Sequence, residues 1–139
     1  MYAEYGYIDE KELEGKIFSK VFKSYIGYDE KECIVFQLKD SNSGYVQYHD
    51  QDCCEDVSIE DICGDLSDLE NTEILSAYCD YKHKCSEDDS DDGYEPNGQS
   101  QTWYFYNIRT IKGSVTIRWY GTSNGYYSET ANLYVCKEI

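Results

Sequence analysis

Proline is almost missing from this 139-residue chain, with one copy, and methionine is also present only once. Basic residues are scarce: 12 Lys and Arg stand against 28 Asp and Glu, a formal net charge of −16 at pH 7. That shortage excludes bulk nucleic-acid binding, which comes from neutralising phosphates with Lys and Arg. No stretch approaches the roughly 18 apolar residues of a membrane-spanning helix. No basic start leads into an apolar run, so no secretory signal is expected. The seven cysteines are an odd number. Without an export signal they read as thiols, and free Cys is most often a small buried hydrophobe. What the chain has in excess is tyrosine, with 16 copies, in a composition 40% hydrophobic and 16% aromatic. Such a chain can bury a core despite its charge, so a folded single domain over 1–139 is expected rather than disorder.

The charge is unevenly placed. Residues 1–46 carry nine acids and six bases, 47–101 carry seventeen acids and two bases, and 102–139 carry two acids and four bases. The last third is therefore mildly basic and holds both arginines, Arg109 and Arg118. Self-repulsion among the seventeen acids favours a solvated face or loop in the middle third. Residues 86–98 bring six acids, no base, two Gly and the only Pro, with no apolar periodicity, and read as an acidic surface loop. Asp88, Asp91 and Gly93 do not fit the fixed register of a calcium-binding EF-hand loop.

Elsewhere the pattern is that of strands. Residues 15–27 predict a first strand. Cys33–Leu38 and Tyr45–His49, joined by Asp40-Ser41-Asn42-Ser43-Gly44, predict a hairpin. Val57, Ile59 and Ile62 follow at mixed spacing. Asp65–Glu70 predicts one short helical turn capped by Asp65 or Ser67, and Ile74–Cys79 another strand. Thr102–Ile108 is strongly β-prone. Over Gly113–Tyr120, Val115, Ile117 and Trp119 alternate cleanly with Thr116, Arg118 and Tyr120. Gly121–Gly125 predicts a hairpin loop returning into Tyr126–Cys136. The expected fold is mostly β (α+β at most): a single compact domain of antiparallel strands and hairpins with one short helix.

Two constellations carry possible chemistry. The first is Tyr48-His49-Asp50-Gln51-Asp52-Cys53-Cys54-Glu55, where a thiol, an imidazole and a carboxylate supply the types for nucleophilic catalysis. The same types could hold zinc with Cys63, Cys79, His83 or Cys85, but the paired Cys-x₂-Cys spacing is missing and adjacent Cys point apart on an extended chain. A structural turn with buried thiols is the preferred reading, with no catalytic residue, metal or cofactor assigned. The second is aromatic and basic: Tyr104, Tyr106, Arg109, Arg118, Tyr120, Tyr126 and Tyr127, with Ser123 and Asn124 as polar donors and His49 from the first cluster. Aromatic faces stack on bases and Arg forks pair with phosphate oxygens, the needs of a nucleotide pocket. Trp103 and Trp119 are expected in the core.

Several strings extend beyond composition: His-Asp-Gln-Asp-Cys-Cys-Glu (49–55), Ile-Glu-Asp-Ile-x-Gly-Asp-Leu-x-Asp-Leu (59–69), Thr-Trp-x-Phe-Tyr (102–106) and Ile-Lys-Gly-Ser-Val-Thr-Ile-Arg-Trp-Tyr-Gly-x-Ser-Asn-Gly-Tyr-Tyr-Ser-Glu (111–129). With them the chain resembles a family of short tailed-phage and prophage proteins carried as a domain of unknown function. The resemblance covers residues 32–80 and 100–135, and the acidic loop falls outside it. It implies a phage origin and the cytoplasm of an infected bacterial host, where small non-structural phage proteins are commonly counter-defence factors. The function expected on that basis is sequestration, without catalysis, of a nucleotide-derived immune second messenger of cyclic ADP-ribose or cyclic dinucleotide type. In it Arg118 takes a phosphate, Tyr126 and Tyr127 a base, and Asn124 or His49 a ribose or base edge, in a site often shared between subunits of a homo-oligomer. The alternative is an acidic nucleic-acid mimic that binds a host defence nuclease or other protein. A weaker alternative is an enzyme that degrades the signal through its Cys–His cluster. Neither membrane nor direct nucleic-acid contact is expected.

Overall fold

Where alternation has a period of two, one side of each strand is apolar, and two such sheets bury those sides against each other. The computed structural model describes residues 1–85, 100–124 and 128–139. Among them, β1 (Tyr7–Ile8), β2 (Phe18–Ile26), β3 (Lys31–Leu38), β4 (Gly44–Tyr48) and β9 (Asn132–Cys136) form one antiparallel sheet in the order β1-β9-β4-β3-β2. The strands β5 (Asp56–Cys63), β6 (Ser76–Cys85), β7 (Ser100–Thr110) and β8 (Gly113–Ser123) form the other, in the order β5-β8-β7-β6. Only two 3₁₀ turns interrupt the β structure, Glu10–Leu13 and Leu66–Leu69, and no helix among the described residues is long and apolar enough to cross a membrane. The domain is mostly β, as expected from its sequence.

The core lies between the sheets. Phe18, Val21, Ile34, Phe36 and Leu133 from the five-stranded sheet meet Ile74, Ala77, Tyr106, Ile108, Val115, Ile117 and Trp119, all buried. At its centre the Trp119 Nε1–H donates to Gln47 Oε1 at 2.8 Å, so the one polar pair crossing this part of the core is satisfied. A second apolar layer, Val35, Val46, Cys33 and Cys136, covers the far side of the five-stranded sheet, with Ala3 and Ile139 packed against it.

Carboxylates close the sheet edges. The outward Val21 N–H on edge strand β2 donates to Glu70 Oε2 at 2.9 Å. The Ala77 N–H on edge strand β6 donates to Glu14 Oε2 at 3.0 Å. On β5 the Ile59 N–H reaches Glu32 Oε1 at 3.3 Å. An edge whose N–H groups are taken by charged side chains cannot template another strand.

The mixed spacing of Val57, Ile59 and Ile62 has a physical cause: a bulge between Ile59 and Asp61 inserts one residue, which returns Ile62 to the inner face. The turn at Leu66–Leu69 is capped by the Asp65 side chain, which accepts from the Ser67 N–H. The turn at Glu10–Leu13 has the same device in Asp9 but no apolar run to announce it. The hairpin expected between Gly113–Tyr120 and the C-terminal strand is replaced by a crossover. Both edges of β8 are already paired, with β5 and β7, so the chain leaves the sheet and β9 takes the free edge of β4. The acidic segment 86–98 lies outside the described residues.

Replacing Trp119 with Phe should lower the urea midpoint by an equivalent of roughly 1–3 kcal/mol, because Gln47 then keeps a buried acceptor with no donor. Equilibrium denaturation of Trp119→Phe, with unchanged m, checks this.

Candidate functional site

Both chain crossings between the sheets are made at one end of the sandwich, and a buried polar cluster joins them. The first crossing, from β4 to β5, starts at His49 and ends at Glu55. The side chain of Glu55 is fully buried, and its two oxygens accept from the N–H groups of Asp52 (3.0 Å) and Cys53 (2.8 Å), from Gln51 Nε2 (3.1 Å) and from His49 Nε2 (3.0 Å). Burial alone would raise this carboxyl. The N–H groups of Cys53, Glu55 itself and Asp52, with the His49 ring, outweigh burial and bring it down to about 2. The other His49 nitrogen, Nδ1, lies 2.8 Å from the Thr130 carbonyl on the second crossing. The His49 ring thus lies between two acceptors, the Thr130 carbonyl and the Glu55 carboxylate.

The second crossing, before β9, continues the network. Glu129 is buried, and its Oε1 accepts from Ser100 Oγ (2.8 Å) and Thr102 Oγ1 (2.9 Å). With the Thr102 proton given to Glu129, His83 Nδ1, 2.9 Å from the same hydroxyl, is the donor to it. The Tyr104 hydroxyl meets Thr130 Oγ1 at 2.9 Å, and the Tyr106 hydroxyl donates to the Ala131 carbonyl. Burial, with Cys79 and Glu10 nearby, pushes the Tyr106 hydroxyl well above its usual range, so it remains a donor. Gly121 permits this packing: a Cβ there would meet Glu129 Cβ at 2.7 Å and its carbonyl oxygen at 2.9 Å.

Cys53 and Cys54, expected as thiols pointing apart, are instead joined to each other. The chain bends at these two residues rather than running extended, which puts both side chains on one side. Cys33, Cys63, Cys79 and Cys136 are free, and no group of metal-ligating side chains is present among the described residues.

The aromatic and basic residues divide between the two faces of the four-stranded sheet. Tyr104, Tyr106 and Ser123 lie on the inner face, paired in register with Trp119, Ile117 and Ser100. Arg109, Arg118 and Tyr120 lie on the outer face. Trp103, expected in the core, shares that outer face because it is one residue out of phase with the buried Thr102 and the half-buried Tyr104. Its ring sits 5.0 Å from that of Tyr120. The register aligns Lys82, Trp103, Tyr120 and Ser58 in one row across four strands, and Asp80, Phe105, Arg118 and Asp61 in the next. Arg118 Nε is 2.9 Å from Glu60 Oε1, out of line for a hydrogen bond, and its Nη2 is 3.9 Å from Asp61. Arg109 stands further along, where a cleft of about 220 Å³ is lined by Tyr78, Asn107 and Thr116. Asn124 is exposed at the end of β8, and Tyr126 and Tyr127 lie outside the described residues. His49 belongs to the buried joint, not to the outer face.

Of the residues in these arrangements, Glu129 had no role in the sequence pattern, Glu55 entered it only as one member of the first cluster, and Trp103 only as a core residue. Glu129 had a signal, being one of two acids in 102–139 and followed by the apolar Ala131 and Leu133. Residues 11–133 match the family described as Domain of unknown function (DUF7448). No curated protein and no solved structure matches the chain.

Glu55→Gln should destabilise the fold by roughly 3 kcal/mol, because an amide NH₂ then faces donors and the buried His49–Glu55 pair is broken. The carboxylate's contribution is complete above its ordinary value of 4.5 and is lost as pH falls from there through about 2. Thermal melts between pH 2 and pH 7 should therefore show a steeper acid loss for the parent than for Glu55→Gln.

Proposed function

The chain belongs to the DUF7448 family, whose description assigns no chemistry, and we propose that it is a phage counter-defence protein that sequesters a nucleotide-derived immune second messenger without turning it over. The observation that carries this reading is the outer face of the four-stranded sheet. There the Trp103 and Tyr120 rings, in contact at a tilt of 42°, lie one row from Arg118, in the only third of the chain with net positive charge. Rows on one face are roughly 7 Å apart, the rise of two residues, so a base on the rings and a phosphate on the guanidinium fit one nucleotide. Arg118 is held in place by Glu60 and Asp61 but is partly exposed, and phosphate exchanges readily for a weak surface pair. Arg109 with Tyr78 and Asn107 offers a second contact for a larger signal of cyclic ADP-ribose or cyclic dinucleotide type. An open sheet face encloses such a ligand only when a second copy covers it, which favours a homo-oligomer in the host cytoplasm.

Binding without turnover is favoured by the state of the Cys–His cluster. Both His49 nitrogens are engaged by the Thr130 carbonyl and Glu55, and the two neighbouring cysteines are joined, so neither is a free thiol for that ring to activate. The nucleic-acid-mimic reading loses weight because Glu55 and Glu70 in the acidic third are committed to internal hydrogen bonds.

The protein should be incubated with cyclic ADP-ribose isomers and cyclic dinucleotides, washed, then heated, and the supernatant analysed by mass spectrometry. Intact ligand released only on heating is the expected result, and Arg118→Ala or Tyr120→Ala should reduce retention at least tenfold, about 1.4 kcal/mol. Altered ligand would mean an enzyme, and no retention of any signal would overturn the proposal.

A further inference from the structure

The opposite sheet carries a surface of different chemistry. At the end where the β2–β3 turn, the β4–β5 crossing and the N-terminal segment meet, a cleft of about 700 Å³ is walled by Tyr2, Tyr25, Tyr28 and Tyr48, with Asp29 and Asp50 on its rim. A second cleft of about 540 Å³, lined by Tyr5, Tyr7 and Tyr134 with Glu4, shares Ala3, Tyr48 and Asp50 with the first. Together they make one elongated groove that passes Ala3. Tyr2, Tyr5, Tyr7, Tyr25 and Tyr28 are all exposed, and with Met1 they form the densest group of exposed large hydrophobic residues on the described surface. Apolar exposure gathered in one place marks an interaction surface.

The charge around the groove selects the partner. The two loops at its first half carry Asp29, Glu30, Asp50 and Asp52, all exposed, against Lys31, whose ammonium is 3.9 Å from Asp29. His49 does not offset them, because its ring is buried and engaged by Glu55. Tyrosine faces attract guanidinium and ammonium groups through the ring quadrupole, and carboxylates beside them add charge pairing. The surrounding field of a protein with net charge −16 has the same sign. A phosphate-bearing ligand is disfavoured here on the same grounds.

We propose that this groove is the docking site for an arginine- or lysine-rich polypeptide segment of a partner protein, with cationic side chains over the Tyr25, Tyr28 and Tyr48 rings. The groove's length, two clefts in series past Ala3, suits an extended chain rather than a compact cation. The inference is independent of the nucleotide reading, because it uses the other sheet and a ligand of opposite charge.

The test uses the full chain and a fluorescein-labelled, capped peptide alternating Arg and Gly, followed by anisotropy, with a Gln-for-Arg peptide as control. Saturable binding is expected for the Arg peptide only. The exposed-site double variant Tyr25→Ala, Tyr28→Ala should weaken it about tenfold, and Asp50→Asn should weaken it and reduce its salt dependence. Arg118→Ala should leave it unchanged while removing nucleotide retention, so failure of either proposal is seen separately. Equal binding by the double Tyr variant would mean attraction by net charge alone and would overturn the proposal, as would absence of binding. Displacement by equimolar spermine would overturn the polypeptide occupant. A parent dimer that the double Tyr variant abolishes on size exclusion would assign the groove to a second copy instead.

Discussion

The carboxylate of Glu55 is the group on which the rest of this structure depends. It is fully buried at the point where the chain leaves one sheet for the other, and it survives there as an anion because four donors converge on it. His49, held by that carboxylate, reaches across to the Thr130 carbonyl and so ties the first crossing to the second. Two sheets packed only through apolar side chains can slide; a charged pair that is costly to break fixes their relative position. The neighbouring bonds of Thr130 to Tyr104 and of Glu129 to Ser100 and Thr102 extend the same joint across the four-stranded sheet.

The large negative charge has, accordingly, more than one use. Glu14, Glu32, Glu55 and Glu70 are consumed by backbone N–H groups, three at sheet edges and one at the crossing. Glu60 and Asp61 hold Arg118 in position. Other acids stay exposed on the described surface, among them Asp29 and Asp50 at the tyrosine groove. Net charge is therefore a poor guide to what each face recognises, since the acids that contribute to the total are not the acids a partner meets.

The two sheets turn chemically different sides to solvent. The four-stranded sheet shows Trp103, Tyr120, Arg118 and Arg109, aromatic rings beside guanidinium groups. The five-stranded sheet shows tyrosines with carboxylates, a surface for cations. Because the faces lie on opposite outsides of the sandwich, occupation of one does not block the other.

The alternation of Val115, Ile117 and Trp119 with Thr116, Arg118 and Tyr120 determined from sequence alone that β8 has one buried face and which residues lie on the other. Composition likewise determined a β-rich domain, and the turn chemistry of Asp40–Gly44 determined the β3–β4 hairpin. Which strand pairs with which was decided only in three dimensions. Strand order rests on which edges remain free, so β9 went to β4, and the bulge at Ile59 was invisible as anything but irregular spacing. The tertiary structure also separated the described members of the aromatic and basic constellation, sending Tyr104 and Tyr106 inward and leaving Arg109, Arg118 and Tyr120 outside. Periodicity sorts residues within one strand, but a site is assembled across strands: the donors that keep Glu55 an anion are its chain neighbours, whereas the Thr130 carbonyl that holds His49 is distant in the chain.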